Sequence, residues 1–232
     1  MFCFQCEQTA GCSACTGNAG VCGKKADTAN LQDQLTGALI GLAKDINGNE
    51  KLMTEATDKL VVEGLFSTLT NVNFNDATLS AFIEKIAAEP YPMKELWNAN
   101  EDIRSLKSLI LFGIRGLAAY AYHAKVLGYQ NAEINRFFYK ALSAIGMDDW
   151  GMEELLPIVM EVGEINLKCM ALLDKANTET YGNPVPSEVS LTVEKGPFIV
   201  ISGHDLYDLK QLLEQTDIYI CKHNGYMSLA AF

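Results

Sequence analysis

The sequence predicts a mainly α-helical fold: a Cys-rich N-terminal loop, two tandem three-helix bundles, and the βαβ start of an incomplete α/β domain. Three observations support this prediction. Five of the seven cysteines fall within residues 3–22, where apolar residues show no helical spacing. Leucine and isoleucine then recur every three or four residues as far as about residue 176. Beyond a Pro-containing segment at 180–189, short apolar runs replace this spacing.

The first predicted bundle contains three helices, at residues 28–48, 55–70 and 76–86. Thr28 or Asp27 can cap the first of them, because the side-chain oxygen of either residue can accept a hydrogen bond from a free backbone N–H in the first turn. The third helix ends before Pro90, since proline cannot continue a helix. Each of the three predicted helices is long enough to bury one apolar face.

The second predicted bundle also contains three helices, at residues 101–127, 131–145 and about 151–176. Gly128 follows the first of these and is a typical residue just beyond a helix C-terminus. Pro157 is expected to kink the last helix unless a short helix ends just before it. The bundles and the cysteine loop form one predicted domain, residues 1–188.

Residues 189–232 are predicted to begin an α/β domain. Apolar runs at 197–201 and 217–221 predict two strands, and leucines at helical spacing predict a helix at 205–214 between them. Two parallel strands and one helix are too few for a stable sheet, because a parallel sheet needs more strands and a cover on both faces. We therefore expect most of this domain to be missing from the chain.

Composition excludes several classes of function. The chain has 232 residues, 49% hydrophobic content and a formal net charge of −11, which disfavours binding to nucleic acids or anionic membranes. No apolar run is long enough to span a bilayer, and the first residues lack the features of a signal peptide. A cytoplasmic protein is expected. Clustered cysteines favour a local metal or redox site over a disulfide framework.

The opening cysteines follow the pattern Cys3-x2-Cys6-x5-Cys12-x2-Cys15-x6-Cys22. Four thiolates can surround a [4Fe–4S] or [2Fe–2S] cluster, and the intervening glycines let the backbone wrap around it. Structural zinc also favours four cysteine ligands, and a C-x-x-C pair can act in thiol redox chemistry. The spacing alone leaves these alternatives open.

Longer stretches of the chain resemble a known family. MFCFQCEQTAGC, CTGNAGVCGKKADTANLQD and ISGHDLYDLKQLLEQT resemble the hybrid-cluster proteins, also called prismane proteins or hydroxylamine reductases, and the likeness extends from residue 1 to about residue 216. The resemblance implies a helical domain of two three-helix bundles followed by two α/β domains. It also implies an N-terminal [4Fe–4S] or [2Fe–2S] cluster with the ligands Cys3, Cys6, Cys15 and Cys22. Cys12 is the alternative third ligand.

A second centre is also implied by the resemblance. In the family, a hybrid [4Fe–2O–2S] cluster is held by one His, two Glu and four Cys, and in this chain only His204 matches one of these ligands. Tyr226 stands where a ligating Glu is expected. We therefore expect the hybrid cluster only in a full-length chain, and interpret the tail as a truncation.

The function implied by the resemblance is reduction of hydroxylamine, or nitric oxide, to ammonia-level products as a defence against nitrosative stress in an anaerobe. The N-terminal cluster would relay electrons from a reductase or ferredoxin to the small nitrogenous substrate. Two alternatives stay open at this stage. The chain could be a truncated, catalytically inactive single-cluster electron carrier, or a zinc-bound helical module.

Overall fold

The structure of the protein is a computed structural model, which describes residues 3–6, 14–70, 72–186, 188, 192, 195–196 and 205–220. The chain divides into two compact units, Met1–Ala176 and Asn177–Phe232. The predicted domain boundary after residue 188 stays a prediction.

Helices dominate the described residues. In chain order they are α1 (Ala26–Gly48), α2 (Glu55–Ser67), α3 (Asp76–Glu84), α4 (Met93–Trp97), α5 (Glu101–Val126), α6 (Ala132–Ile145), α7 (Met152–Tyr181) and α8 (Leu206–Ile220). The mainly α-helical prediction is confirmed, and the six helices predicted for the two bundles are all present within a few residues of their expected bounds. Among the described helices, none has the length and apolar content needed to cross a membrane.

Polar side chains set the starts of several helices. Asn75, Asn100 and Asn131 each accept a hydrogen bond from a backbone N–H in the first turn of α3, α5 and α6. Gly128, two residues beyond α5, has a φ of 87°, and its N–H donates to the Lys125 carbonyl oxygen at 2.9 Å. The prediction that a glycine ends this helix is confirmed.

Prolines lie at or near the starts of two helices. α4 follows the stop predicted at Pro90 and is an additional helix that the sequence pattern does not predict; Pro92 is the residue just before it. α7 continues through Pro157, which lies in the second turn of the helix. Proline there removes only one backbone hydrogen bond near the helix start, and the remaining turns hold the helix together.

The C-terminal strand prediction was wrong over the described residues. The apolar run predicted as a strand at 217–221 forms the end of α8 as far as Ile220. Short apolar runs do not distinguish a strand from a helix, and a helix satisfies its backbone hydrogen bonds without a neighbouring strand. The other predicted strand, 197–201, lies outside the described residues. The predicted helix at 205–214 is confirmed as the first part of α8.

One hydrophobic core joins the two predicted bundles. α1 packs most extensively against α6, and α2 packs most extensively against α5. Leu35 and Leu39 from α1, Ile110 and Ile114 from α5, and Leu142 from α6 are fully buried in the same cluster. The two sets of helices therefore stabilise each other, since each buries its apolar face against helices of the other set.

Two glycines on α1 allow another segment to cross it closely. The Tyr91 N–H donates to the Gly37 carbonyl oxygen at 2.9 Å. A Cβ at Gly37 would overlap the Tyr91 carbonyl oxygen, and a Cβ at Gly41 would overlap the Glu89 carbonyl oxygen. Only glycine therefore fits at these two positions of the helix.

Candidate metal centre

Two backbone pairings hold together the described part of the N-terminal cysteine loop, residues 3–6 and 14–25. Cys3 and Cys15 form an antiparallel bridge, in which the Cys3 N–H donates to the Cys15 carbonyl oxygen at 3.1 Å and the reverse bond measures 2.9 Å. Both side chains are buried, at 7% and 6% exposure, against Ala29 of α1. The structure therefore brings two of the four predicted ligands side by side.

The second pairing shapes the turn that carries Cys22. Ala19 and Lys25 form an antiparallel bridge, and the Gly20 N–H donates to the Lys24 carbonyl oxygen at 2.7 Å. Gly23 completes the turn with a φ of 84°, a conformation that favours glycine. The Cys22 side chain is exposed at the tip of this turn.

The remaining predicted site residues are placed differently. Cys6 is partly buried, whereas Cys12 and His204 lie outside the described residues. Within the described ranges, no group of three or more His, Cys, Asp or Glu side chains has the geometry to hold a metal ion. The structure thus pairs Cys3 with Cys15, and it does not assemble all four predicted ligands.

A buried polar group lies beneath the cysteine loop. Gln5, between Cys3 and Cys6 in the chain, is 3% exposed. Its side-chain amide donates to the Ala29 carbonyl oxygen at 2.9 Å and to Asp33 Oδ1 at 2.7 Å. Its side-chain oxygen accepts a hydrogen bond from Lys24 Nζ at 2.8 Å. Gln5 thus fixes the loop to the first two turns of α1.

Arg115 of α5 also contacts Gln5, from the side of the helices. Its guanidinium is 1% exposed and donates to Thr68 Oγ1 and Thr36 Oγ1, each at 3.0 Å, and to the Gln5 carbonyl oxygen at 3.4 Å. Burial lowers the pKa of Arg115 to about 10, while the negative charges of Asp33, Cys3 and Cys6 act in the opposite direction. Arg115 therefore remains a cation below the cysteine loop at neutral pH.

These surroundings suit a negatively charged centre bound by thiolates. Burial raises the pKa of the Cys3 thiol above its ordinary value, and the charge of Lys24 opposes that effect. Metal binding removes the thiol proton, and the two buried cations stabilise the resulting negative charge. The chemistry of the donors and their neighbours therefore fits the predicted centre.

Three residues of this site were missed by the sequence analysis: Gln5, Lys24 and Arg115. Arg115 carried a usable signal, because it is a charged residue within the apolar run ILFGIRGLAAY of a predicted helix. Such a residue is buried only with partners for its charge and its N–H donors. Gln5 and Lys24 carried no comparable signal, since polar residues are common in exposed loops.

The buried thiol of α7 gives a first testable prediction. Cys169 is 0% exposed, its Sγ lies 3.6 Å from the Leu117 carbonyl oxygen, and burial raises its pKa to about 11. In the metal-free protein we expect iodoacetamide to label Cys22 at least about tenfold faster than Cys169, because alkylation needs an accessible thiolate. Peptide mass spectrometry at several reaction times measures both rates. Equal rates would contradict the buried position of Cys169.

Comparison with known proteins identifies the family. The sequence model of the Prismane/CO dehydrogenase family matches residues 1–223. The chain belongs to the Prismane/CO dehydrogenase family. Proteins named hydroxylamine reductase from Methanosarcina mazei and Clostridium novyi are each 40% identical to it, and one from Porphyromonas gingivalis is 42% identical. The resemblance identified from the sequence is therefore confirmed.

The match covers only part of the length of those relatives. The three alignments cover 93% or 94% of this chain and 46% of each relative. The chain thus spans about half the length of the hydroxylamine reductases it matches. The matched half includes the cysteine loop and every helix from α1 to α8.

Proposed function

We propose that the chain provides the N-terminal iron–sulfur centre of a hydroxylamine reductase. The observation that supports this proposal most directly is the buried pair of Cys3 and Cys15, with the cations Lys24 and Arg115 beneath the same loop. The names of the relatives support the activity, since all three are hydroxylamine reductases. The absence of disulfides among the described cysteines is consistent with a thiolate site.

The proposed ligands are Cys3, Cys6, Cys15 and Cys22. A [4Fe–4S] or [2Fe–2S] cluster, when bound, supplies one-electron transfer. The protein contributes the shape and polarity of the site. Phe4, next to Cys3, packs against the buried Trp97 with ring centroids 5.4 Å apart, and Arg104 lies 5.6 Å from the Phe4 ring. Phe4 and Trp97 thus place aromatic surface directly beside Cys3.

The proposed reaction consumes two electrons and two protons for each hydroxylamine, releasing ammonia and water. Nitric oxide is a further candidate substrate. Substrate reduction is assigned to a hybrid [4Fe–2O–2S] centre in a full-length chain, with His204 as one ligand. We propose a reductase or ferredoxin as the electron donor, and a cytoplasmic role against nitrosative stress in an anaerobe.

Metal analysis tests the proposed centre. The chain purified without oxygen is expected to contain about four iron and four sulfide ions for a [4Fe–4S] cluster, or about two of each for a [2Fe–2S] cluster. Inductively coupled plasma mass spectrometry and sulfide assay give these ratios. One zinc ion per chain without iron would contradict the proposal and support the zinc-bound helical alternative. About eight iron ions would contradict a single cluster.

A chimeric enzyme tests the proposed activity. In it, residues 1–216 of this chain replace the matching part of the Methanosarcina mazei hydroxylamine reductase. We expect the chimera to reduce hydroxylamine with reduced methyl viologen, and the His204→Ala variant to lose turnover while keeping the N-terminal iron. Cys169→Ala is the matched control and should keep both properties. A chimera that holds its full iron content and shows no turnover would contradict the assigned activity.

A further inference from the structure

The two cations beneath the cysteine loop are unusual in their burial and in their partners. Lys24 is 2% exposed and Arg115 is 1% exposed. Within the described part of the chain, both cations donate hydrogen bonds to neutral oxygens. Lys24 donates to the side chain of Gln5. Arg115 donates to the hydroxyls of Thr36 and Thr68 and to the backbone carbonyl of Gln5. A buried cation is costly unless negative charge lies close to it.

The third buried cation in the described ranges shows the usual arrangement. Lys107 is 1% exposed, and its Nζ lies 3.3 Å from the Asp148 carboxylate. Neither Lys24 nor Arg115 has such an ion pair among the described residues. Among the residues that the structure describes, Asp33 lies close to both cations; one carboxylate cannot balance two cations, and burial raises its pKa.

The cysteine loop supplies the missing negative charge once its thiols bind metal. Four thiolates around either proposed cluster core leave two net negative charges in the oxidised state, and reduction adds a third. Two buried cations beside the loop match the charge of the oxidised centre. Zinc with four thiolates carries the same two negative charges, so charge balance does not distinguish the two centres, whereas metal content and a reduction potential do.

Arg115 is placed to connect the loop with the helical core. Its three hydrogen bonds reach α1 through Thr36, the residue after α2 through Thr68, and the loop through the Gln5 carbonyl oxygen. Because Gln5 lies between Cys3 and Cys6, a shift of the guanidinium would move the backbone that carries two of the proposed ligands. Its role is thus both electrostatic and positional.

We propose that Arg115 and Lys24 are the buried counter-charges of the N-terminal cluster, and that Arg115 is also a positioning residue for the backbone between Cys3 and Cys6. This inference rests on the proposed iron–sulfur centre. Positive charge near the centre stabilises the reduced state more than the oxidised state, because the reduced state carries more negative charge. The two cations therefore raise the reduction potential of the cluster.

Potentiometric titration of the iron-loaded chain, followed by visible absorption and electron paramagnetic resonance, tests the inference. In Arg115→Gln we expect the ratio of reduced to oxidised cluster at a fixed potential to fall about tenfold, equal to about 59 mV for a one-electron couple. Lys24→Gln should shift the ratio in the same direction. Arg115→Lys keeps the charge and should stay within about threefold of the wild-type ratio.

The matched control is Arg136→Gln, which removes the same charge from an exposed position on α6. Solvent and salt screen a surface charge, so the ratio of reduced to oxidised cluster in Arg136→Gln should remain within about twofold of the wild-type ratio. If Arg115→Gln keeps its iron and the wild-type potential, the counter-charge assignment is wrong. A drop in the reduction potential of Arg136→Gln as large as the drop in Arg115→Gln would also overturn the counter-charge assignment.

Loss of the cluster in a variant is equally informative. If Arg115→Gln and Lys24→Gln lose iron while Arg115→Lys and Lys24→Arg keep it, positive charge is required for cluster binding and the inference is supported. If the charge-conserving variants also lose iron, the role is purely one of packing and the inference fails. A wild-type chain that holds no iron instead refutes the proposed function, before any variant is compared.

Discussion

Cys15→Ala is expected to reduce bound iron to less than about a tenth of the wild-type amount. Cys15 pairs with Cys3 through two backbone hydrogen bonds, and both side chains are buried against α1. Its loss leaves three thiolates, and a cluster held by three thiolates exposes an iron to solvent and exchange. Iron analysis and the visible absorption of the anaerobically purified variant measure the effect.

Two further cysteines give matched controls for this variant. Cys169→Ala removes a buried thiol on α7, which contacts the core and belongs to no proposed ligand set, so iron content should stay at the wild-type level. We expect it to lower the free energy of unfolding by about 1 kcal/mol. Cys12→Ala should also keep its iron. Loss of iron in Cys12→Ala together with full iron in Cys15→Ala would show that Cys12, and not Cys15, is the third ligand.

The helical part of the fold could be predicted because its signals are local. Leu35 and Leu39 share one face of α1, and Asn131 caps α6 three residues from the glycine that follows α5. Each of these patterns lies within a few residues of the feature that it determines. The strand prediction at residues 217–220 was wrong for the opposite reason, because strand formation depends on neighbouring strands rather than on the segment itself.

The surroundings of the candidate metal centre depend on contacts that are distant in the chain. Arg115 donates to Thr68, Thr36 and Gln5, which are 47, 79 and 110 residues away in sequence. The apolar residues around it on α5 could predict its burial. Its partners could not be predicted, since they lie on α1, after α2 and in the cysteine loop, and only the packed structure brings these segments together.

The same dependence on packing explains the tight crossing at Gly41. The segment before α4 lies directly on α1, where the Tyr91 N–H bonds to Gly37 and the Tyr91 hydroxyl donates to Asp148 at 2.6 Å. Lys107 donates to the same carboxylate at 3.3 Å. These bonds hold the segment against the helix, so it cannot move away to make room for a larger residue.

Gly41→Ala is therefore expected to lower the free energy of unfolding by about 3 kcal/mol, because the added methyl overlaps the Glu89 carbonyl oxygen. Urea denaturation followed by circular dichroism, with both proteins in the same metal-loading state, measures this change. Gly116→Ala on α5 is the matched control, since a Cβ there meets no atom within 4 Å. It should raise stability by about 0.5–1 kcal/mol through helix propensity alone. Equal effects at the two glycines would show that the segment before α4 does not cross α1 at Gly41.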